Sequence, residues 1–236
     1  MTKETKSQQA YYAEAAASYD ESHMATDAIG EHEVALRQLS GYASLYGFTT
    51  LLDVGSGTGR VLRFARSDMP AVTCTGVEPI AELRDIGYKA GLRADELIEG
   101  DANRLPFPDN SFDVVTAFGM LHHVPHPDRV IGEMLRVAKK AIFISDSNNF
   151  GQGSTRSRLF KKVLRRTRMW RVFDYIRTKG KGYHWSEGDG VFYSYSVFQN
   201  YQAIERATKQ IFVSNTRGSA KNLLNDAETV SLLGLM

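Results

Sequence analysis

The sequence predicts a doubly wound α/β fold, in which helices cover both faces of a mostly parallel β-sheet. Short apolar runs alternate with amphipathic stretches of about 10–15 residues between positions 49 and 147, and this alternation favours parallel strands joined by right-handed helical crossovers. The apolar runs are nearly continuous, which indicates strands covered on both faces. The chain of 236 residues is 42% hydrophobic and 24% charged, which excludes a disordered, collagen-like or disulfide-rich protein.

Two helices are expected before the sheet. The stretch QQAYYAEAAASYDES is rich in Ala, Glu and Gln, which favours a helix. Residues 29–46 place apolar side chains at mostly helical spacing, and Gly47 then supplies a stop signal. Residues 1–48 are therefore expected to form an N-terminal helical cap within a single domain that spans residues 1–236.

The cofactor-binding core, residues 49–147, is expected to contain five strands with helices between them. The strands are TTLLDV, AVTCTGV, a short one in ADELIEGDA, FDVVTAFGM and AIFIS; the helices are RVLRFARSDM, AELRDIGYKAG and HPDRVIGEMLRVAKK. A basic and aromatic insertion, residues 148–196, follows on the substrate side. Residues 197–236 contain a last helix and two strands, QIFVSNT and ETVSLLGLM, which a short connection predicts to be antiparallel at the sheet edge.

Charge is distributed unevenly along the chain. Residues 151–182 contain eleven Lys and Arg and one acid, a net charge of +10, whereas the rest contains 18 basic and 26 acidic residues, a net charge of −8. A basic amphipathic segment favours anionic lipid surfaces, phosphate-bearing substrates or nucleic acid; a solvated helix packed on the sheet through its apolar face is the alternative.

Targeting signals are missing from the sequence as given. It has no apolar leader and no run of about 18 apolar residues, and its single cysteine, Cys74, cannot form an internal disulfide. We therefore expect a cytoplasmic protein, with peripheral contact to an anionic membrane as an open alternative.

Ligands of open α/β sheets bind at the carboxyl ends of the strands, so the residues that follow the strands are the candidate site. The first strand runs into LLDVGSGTGR, in which Asp53 precedes a glycine-rich turn of spacing GxGxG rather than the dinucleotide pattern GxGxxG. The second strand ends at Glu78, which can accept the hydroxyl protons of a ribose. The third ends at Asp101 and Ala102, which can pair with a base. Three acids favour a cationic or neutral nucleoside over a polyphosphate, although each acid alone can instead cap a helix.

Four motifs occur in order over about residues 49–145: LLDVGSGTGR, GVEP, GDANRLPFPDNSFDVV and FGMLHHVPHPDRVIGEMLRVAKK. They resemble the motifs of class I S-adenosylmethionine-dependent methyltransferases of the UbiE, or methyltransferase type 11, kind. The resemblance implies a Rossmann-like sheet of seven strands with an antiparallel edge strand, and S-adenosylmethionine as cofactor. The chain departs from the family at RVAKKAIFI, where a Pro-Gly-Gly turn is missing and a shorter loop is expected. The implied cofactor-binding residues are Tyr12, Tyr19, Asp53, Gly55, Gly57, Glu78, Pro79, Asp101, Ala102, Phe118 and Gly119.

Methyl transfer to a hydroxyl needs a base, because a neutral hydroxyl is a poor nucleophile. His122 and His123 follow the fourth strand, and Asp146 ends the fifth strand, which should lie beside it. A histidine and an aspartate on adjacent strand ends can act as base and orienting group, and family members that methylate sugar hydroxyls resemble this arrangement. These three residues are the catalytic candidates; a pocket-shaping role for either histidine is the alternative. No metal is expected, because the fourth strand ends in FGM and lacks a carboxylate.

The loops after the fifth strand are expected to cover the acceptor. Their aromatic and polar residues suit a sugar or ring, and the basic segment suits an anionic group. These features favour O-methylation of a small-molecule, glycan-linked or lipid-linked acceptor. RNA or protein methylation, N- or C-methylation of a metabolite, and non-catalytic cofactor binding remain alternatives. Nucleic acid is disfavoured because no RNA-binding module is recognisable, and the protein is expected to be a monomer or a homodimer. The expected substrate contacts are Asn148, Arg165, Arg166, Tyr183, His184, Trp185, Tyr193 and Tyr195.

Overall fold

The computed structural model describes residues 8, 10–12, 30–187, 189–217 and 220–236. Gln8 and residues 10–12 are helical. The other helices are α1 (Glu31–Tyr46), α2 (Arg60–Asp68), α3 (Ala81–Lys89), α4 (Pro127–Val137), α5 (Thr155–Arg166), α6 (Trp170–Arg177), α7 (Tyr201–Ala207) and α8 (Leu223–Asp226). The strands are β1 (Thr50–Val54), β2 (Thr73–Val77), β3 (Leu97–Ile98), β4 (Phe112–Phe118), β5 (Ala138–Ser147), β6 (His184–Ser186), β7 (Gly190–Phe192), β8 (Gln210–Arg217) and β9 (Thr229–Leu235).

Seven strands form one sheet in the order β3-β2-β1-β4-β5-β9-β8. Strands β1 to β5 pair in parallel, and β9 is antiparallel to both β5 and β8. The fold class predicted from the sequence is confirmed, including the antiparallel pairing at the edge. Strand order reverses between β1 and β4, so a ligand crevice is expected at the carboxyl ends of these two strands.

The sheet separates two hydrophobic clusters, and alternate residues of one strand face opposite clusters. In β5, Ile142 and Ile144 pack in the cluster that contains Met134 of α4, whereas Phe143 packs in the cluster that contains Leu39 of α1. All of these side chains are fully buried. Both faces of the sheet are therefore covered, as the nearly continuous apolar strands predicted.

Helix ends follow the sequence signals. Helix α1 ends at Gly47, whose φ of 61° lies in the left-handed region that favours glycine. Helix α4 has Pro127 in its first turn and ends at Val137, and β5 begins at the next residue. The short connection predicted from the missing Pro-Gly-Gly turn is thus present. The register places Phe118 opposite Ser145, so the segments that follow β4 and β5 leave the sheet side by side.

The insertion after β5 contains two helices and a small hairpin. The Ser154 side chain accepts the Ser157 N–H and caps α5, and Arg168 adopts a φ of 60° in the turn before α6. Strands β6 and β7 then pair as an antiparallel hairpin. No helix among the residues that the structure describes is long and apolar enough to cross a membrane.

Candidate active site

The glycine-rich turn after β1 forms the first wall of the site. Gly55 adopts a φ of 68°, and a Cβ there would lie 2.9 Å from the Met120 Cβ, so glycine is required by both conformation and space. Asp53, which is buried, accepts hydrogen bonds from Ser56 Oγ at 2.7 Å and Thr116 Oγ1 at 2.8 Å. Burial raises the pKa of Asp53 to about 7, although both hydrogen bonds act to lower it.

Glu78 connects the end of β2 to this turn. The Gly57 N–H donates to Glu78 Oε2 at 2.9 Å, and the Ile80 N–H donates to Oε1 at 3.0 Å. Burial raises the pKa of the Glu78 carboxyl, and the neighbouring Pro79 is exposed. Glu78 is therefore positioned beside the turn as expected, and its contact with a ribose remains a prediction.

Asp101 follows β3 and is exposed. Its Oδ1 accepts from the backbone N–H of Asn103 at 2.9 Å and from the Asn103 side-chain amide at 2.8 Å. Ala102, the next residue, is almost fully buried. Their predicted contacts with an adenine likewise remain predictions.

His122 and Asp146 form a hydrogen-bonded pair at the ends of β4 and β5. His122 Nδ1 lies 2.6 Å from Asp146 Oδ1, and the Asp146 carboxylate is almost fully buried. The backbone N–H groups of Leu121 and Ser147 donate to Oδ2 at 2.8 Å and to Oδ1 at 2.6 Å. The carboxylate is thus fixed and accepts a hydrogen bond from the Nδ1–H of His122, which leaves Nε2 directed away from the pair.

Asp189 approaches the two histidines from the opposite side. Its carboxylate oxygens lie 3.7 Å from His122 Nε2 and 3.4 Å from His123 Nε2, and the two imidazole centroids are 3.9 Å apart. The Tyr12 hydroxyl lies 2.9 Å from His123 Nε2, and the Val191 carbonyl lies 2.8 Å from His123 Nδ1. The sequence placed Asp189 in the covering loop and carried no signal for its contact with the histidines.

The carboxylates change the protonation state of His122. Burial acts to lower the pKa of His122, but attraction to Asp146 and Asp189 outweighs it and raises the pKa to about 10. Burial opposes the ionisation of both acids, yet the histidines lower the pKa of Asp146 and of Asp189. In the free protein, His122 therefore carries a proton on each ring nitrogen at neutral pH.

The described part of the N-terminal helix packs on the loop that carries Asp189. Gln8 Nε2 donates to the Asp189 carbonyl at 3.2 Å, and its Oε1 accepts a backbone N–H of β7. The Tyr11 hydroxyl donates to the Glu187 carbonyl at 2.6 Å. This segment thus holds the loop over the histidines, whereas Tyr19, the second predicted aromatic, lies outside the described residues.

A cavity of about 490 Å³ joins the glycine turn to the histidines. Glu31 and His32 of α1 and Arg217 of β8 also line it, although no motif in the sequence marks them. The predicted residues that line it are Tyr12, Asp53, Gly55, Gly57, Phe118, Gly119, His122, His123, Asp146, Tyr193 and Tyr195.

Asn148 does not reach this cavity, which corrects its predicted substrate contact. It is completely buried, and its amide donates to the carbonyls of Leu223, Leu224 and Ala227 at 2.9–3.1 Å. Its Oδ1 accepts from Ser196 Oγ at 2.8 Å. These bonds occupy the amide hydrogens and one lone pair of Oδ1, so Asn148 connects β5 to the segment before β9 and is not part of the cavity wall.

Only part of the predicted aromatic cover faces the cavity. Tyr193 and Tyr195 line it, whereas Tyr183 packs behind Tyr193 with ring centroids 6.3 Å apart. His184 Nε2 lies 2.8 Å from a guanidinium nitrogen of α6, and Trp185 is 59% exposed. The positions of Tyr183, His184 and Trp185 do not bring them to the described cavity wall.

The basic segment contributes different cations from those predicted. The Arg165 guanidinium lies 5.0 Å from the centroid of the Phe150 ring, and Arg166 is exposed; neither lines the cavity. Lys161 and Arg177 line it instead. Helical spacing explains the correction, because Lys161 lies on the side of α5 that faces the protein.

A group of metal-ligand type is also present. Ligand atoms of His122, His123 and Asp189 all lie within 4.8 Å of one another, a spacing compatible with a bound metal ion. The sequence predicted no metal because the end of β4 lacks a carboxylate. The carboxylate of this group comes instead from Asp189, in a loop much later in the chain. A base and a ligand are exclusive roles for His122 Nε2, because a metal-bound nitrogen has no lone pair for a proton.

Comparison with known families supports the cofactor assignment. A family model described as a methyltransferase domain matches residues 52–144. The phosphatidylethanolamine N-methyltransferase of Cereibacter sphaeroides is 35% identical over 121 residues, 49% of this chain and 58% of that protein. The ubiquinone/menaquinone biosynthesis C-methyltransferase UbiE of Pseudomonas putida is 40% identical over 100 residues, 38% of this chain and 37% of its own length.

A third relative acts on another kind of molecule. The 27-O-demethylrifamycin SV methyltransferase of Amycolatopsis mediterranei is 36% identical over 106 residues, 43% of this chain and 39% of that enzyme. The chain thus spans 37–58% of the length of these relatives.

Solved structures share the whole fold at low identity. A methyltransferase of Thermotoga maritima, described as a possible histamine N-methyltransferase, has a TM-score of 0.58, 18% identity, and coverage of 96% of this chain and 98% of its own. The [4+2]-cyclase SpnF has a TM-score of 0.63 and 18% identity, and covers 100% of this chain and 97% of its own. These likenesses show the fold alone. The motifs and the family match over residues 52–144 identify this part of the chain as a methyltransferase domain of the class I S-adenosylmethionine-dependent kind, with S-adenosylmethionine as its cofactor.

Proposed function

We propose that this protein methylates a hydroxyl of a small-molecule, glycan-linked or lipid-linked acceptor that carries an anionic group. The observation that carries the proposal is the buried pair of His122 Nδ1 and Asp146 Oδ1, 2.6 Å apart, on the wall of the cavity that begins at the glycine turn. Such a pair is the arrangement that a hydroxyl acceptor requires and that an amine or activated carbon requires less.

The residues around the cavity fit the cofactor. When bound, S-adenosylmethionine supplies an electrophilic methyl group on a sulfonium whose positive charge lowers the pKa of a nearby imidazole. Asp53 and Glu31 line the cavity with carboxylates, which suit a cationic ligand. Gly55 and Gly57 present the turn to the same space without side chains. A cation beside Asp53 also favours the ionised form of a carboxyl whose pKa burial has raised to about 7.

His122 accepts the hydroxyl proton in this proposal, and Asp146 orients it. Because the free protein holds His122 protonated, an acceptor must first weaken the interaction that stabilises the imidazolium. Asp189 is the movable partner, since it lies 3.7 Å from Nε2 and its side chain is 41% exposed. An acceptor hydroxyl that takes the place of Asp189 beside Nε2 removes that attraction and lowers the pKa of His122. Acceptor binding and activation of the base are thereby coupled.

The far wall of the cavity supplies groups for the rest of the acceptor. Asn149 is buried, and its Nδ2 has no hydrogen-bond partner among the described residues, so it can donate to a ligand. The Lys161 ammonium donates to the Asn149 carbonyl at 2.7 Å, and Arg177 lines the same side. Burial lowers the pKa of Lys161, so an anionic group on the acceptor favours its charged form. Peripheral contact with an anionic membrane belongs to the same proposal where the acceptor is lipid-linked.

The relatives do not determine the acceptor atom. Their names describe an N-methyltransferase, a C-methyltransferase and an enzyme acting on a demethylated antibiotic, although each aligns with 38–49% of this chain. N- or C-methylation is therefore the second candidate function, and methylation of RNA or protein is the third. The His122–Asp146 pair favours the hydroxyl, because it supplies a base that the other acceptors need less.

The test is transfer of label from methyl-labelled S-adenosylmethionine into extracts of the source cells, separated into metabolite, lipid or glycan, protein and nucleic-acid fractions. Label in the metabolite or lipid fraction that disappears in His122→Ala, and persists in the exposed control His126→Ala, is the expected result. Nuclease-sensitive or protease-sensitive label contradicts the proposal. Full activity of His122→Ala also contradicts it and favours an acceptor that needs no base.

A further inference from the structure

In the part of the chain that the structure describes, large apolar side chains are exposed almost only in the insertion. Nine are exposed among the described residues, and eight of them lie between positions 159 and 185; the other is Leu45 of α1. We define the apolar patch as the seven of these that belong to α5, α6 and the turn between them. Its members are Leu159, Phe160, Val163, Met169, Val172, Tyr175 and Ile176.

Helix α5 exposes apolar side chains beside its cations and buries one of its lysines. Its outward side carries Leu159, which is 63% exposed, and Val163, which is 51% exposed. Its inward side carries Lys161, which is only 8% exposed and donates to the carbonyls of Asn149 and Gln152. A surface helix of a soluble protein normally buries its apolar stripe and exposes its cations. The outward apolar side therefore indicates a surface that is covered when the protein works.

Cations surround the apolar patch. Eight basic residues of the insertion are exposed; Arg177 pairs with Asp174, and the other seven form no salt bridge with an acid among the described residues. The rest of the chain has a net charge of −8, so the excess of positive charge lies in this segment. The seven are Arg156, Lys162, Arg166, Arg168, Arg171, Lys179 and Lys181.

The same two helices contribute to the wall of the cavity. Lys161 of α5 and Arg177 of α6 line it, together with Gln152 and Gly153 from the loop that leads into α5. A partner bound to the apolar patch is therefore held next to the acceptor side of the cavity.

We propose that the apolar patch and its surrounding cations form a docking surface for an anionic lipid bilayer. A bilayer matches both components, because apolar side chains enter the acyl boundary while Lys and Arg pair with anionic headgroups. A second copy of this surface is repelled by the same cations, and a nucleic acid offers phosphates but no apolar layer for Leu159 and Ile176. The idea that docking delivers a lipid-linked acceptor to the cavity rests on the proposed function. Docking itself requires neither turnover nor an acceptor.

The test is sedimentation of the full chain with vesicles of phosphatidylcholine alone and of phosphatidylcholine mixed with phosphatidylglycerol. We expect binding only to the anionic vesicles, decreasing with salt. The triple variant Leu159→Ser, Val163→Ser and Ile176→Ser should weaken binding by about tenfold or more, because three apolar side chains no longer enter the bilayer. Arg166→Gln, Arg168→Gln and Arg171→Gln together should weaken it by about a hundredfold.

Matched controls come from exposed residues elsewhere. Leu45→Ser removes an exposed leucine of α1, and the triple variant Lys89→Gln, Lys139→Gln and Lys209→Gln removes the same charge from other surfaces. Both should bind vesicles like the parent chain. Far-UV circular dichroism and S-adenosylmethionine affinity show whether each variant is folded.

Three outcomes would overturn the inference. The first is equal, weak sedimentation with both vesicle types. The second is binding of a random RNA oligonucleotide that the apolar variant leaves unchanged, in place of vesicle binding. The third is a concentration-dependent dimer that the apolar variant abolishes. Vesicle binding by a protein without methyl transfer would contradict the proposed function and leave the docking surface intact.

Discussion

Asp146→Asn tests the assigned roles of the catalytic pair most directly. Three N–H groups share the two oxygens of Asp146: His122 Nδ1–H and the backbone N–H groups of Leu121 and Ser147. Asparagine replaces one acceptor oxygen with a donor, so the NH₂ group faces either the Leu121 N–H alone or both His122 Nδ1 and the Ser147 N–H. Where that group faces His122, Nδ1 must accept, the remaining proton moves to Nε2, and the base is lost. We expect kcat to fall by about a thousandfold or more.

The same substitution affects stability for a separable reason. Where the NH₂ group faces Leu121 instead, a buried N–H loses its acceptor, at a cost of about 1–3 kcal/mol in the free energy of unfolding. Asp113→Asn is the matched control. Asp113 is also buried and accepts from the Thr49 N–H at 2.8 Å, but it lies at the opposite end of β4. It should lose stability without a comparable loss of kcat.

The assay is kcat against pH, with the acceptor identified by labelling, alongside urea unfolding and S-adenosylmethionine affinity. The direction in which the pKa of His122 changes defines the result that would refute the orienting role of Asp146. Loss of the Asp146 charge lowers the pKa of His122 from about 10, so a base limited only by its protonation would become more active at neutral pH. A kcat at pH 7 equal to or above that of the parent would refute the orienting role of Asp146.

Three further predictions concern groups around this pair. Asp189→Asn removes a carboxylate that raises the pKa of His122, so the rising limb of kcat/KM against pH should move to lower pH, while Glu187→Gln on the same loop should leave it in place. Asn148→Ala leaves several buried partners unsatisfied and should lower the free energy of unfolding by about 3 kcal/mol in urea titrations, with the acceptor KM unchanged in the folded enzyme. A chelator such as EDTA should leave the rate unchanged; loss of activity that a divalent metal restores would reassign His122 as a ligand.

The contact between His122 and Asp146 was predictable because it follows from a rule about sheets. Consecutive parallel strands joined by a helix are neighbours or near-neighbours, and their carboxyl ends meet at one edge. His122 and Asp146 are read off that edge from the sequence alone, and the register of β4 with β5 brings them together. The glycine turn and Glu78 follow from the same rule.

Contacts between loops were not predictable in this way. Asp189 meets His122 across 67 positions of sequence, and Gln8 holds the Asp189 loop from 181 positions away. No periodicity or propensity specifies such closures, because they depend on how separate segments pack. Asn148 illustrates the same limit: it lies only two residues after Asp146, yet it turns into the protein to bind carbonyls before β9.

The insertion shows why periodicity alone cannot assign a buried face. Helical spacing marks a stripe that contains Leu159 and Val163, and hydrophobicity would place that stripe inside. In the structure, carbonyls of Asn149 and Gln152 in the loop after β5 accept hydrogen bonds from the Lys161 ammonium, and these contacts favour the opposite orientation of α5. The orientation that satisfies the buried lysine necessarily directs the apolar stripe outward. The exposed apolar surface is therefore a consequence of how α5 is anchored beside the cavity, and covering it requires a partner with an apolar layer.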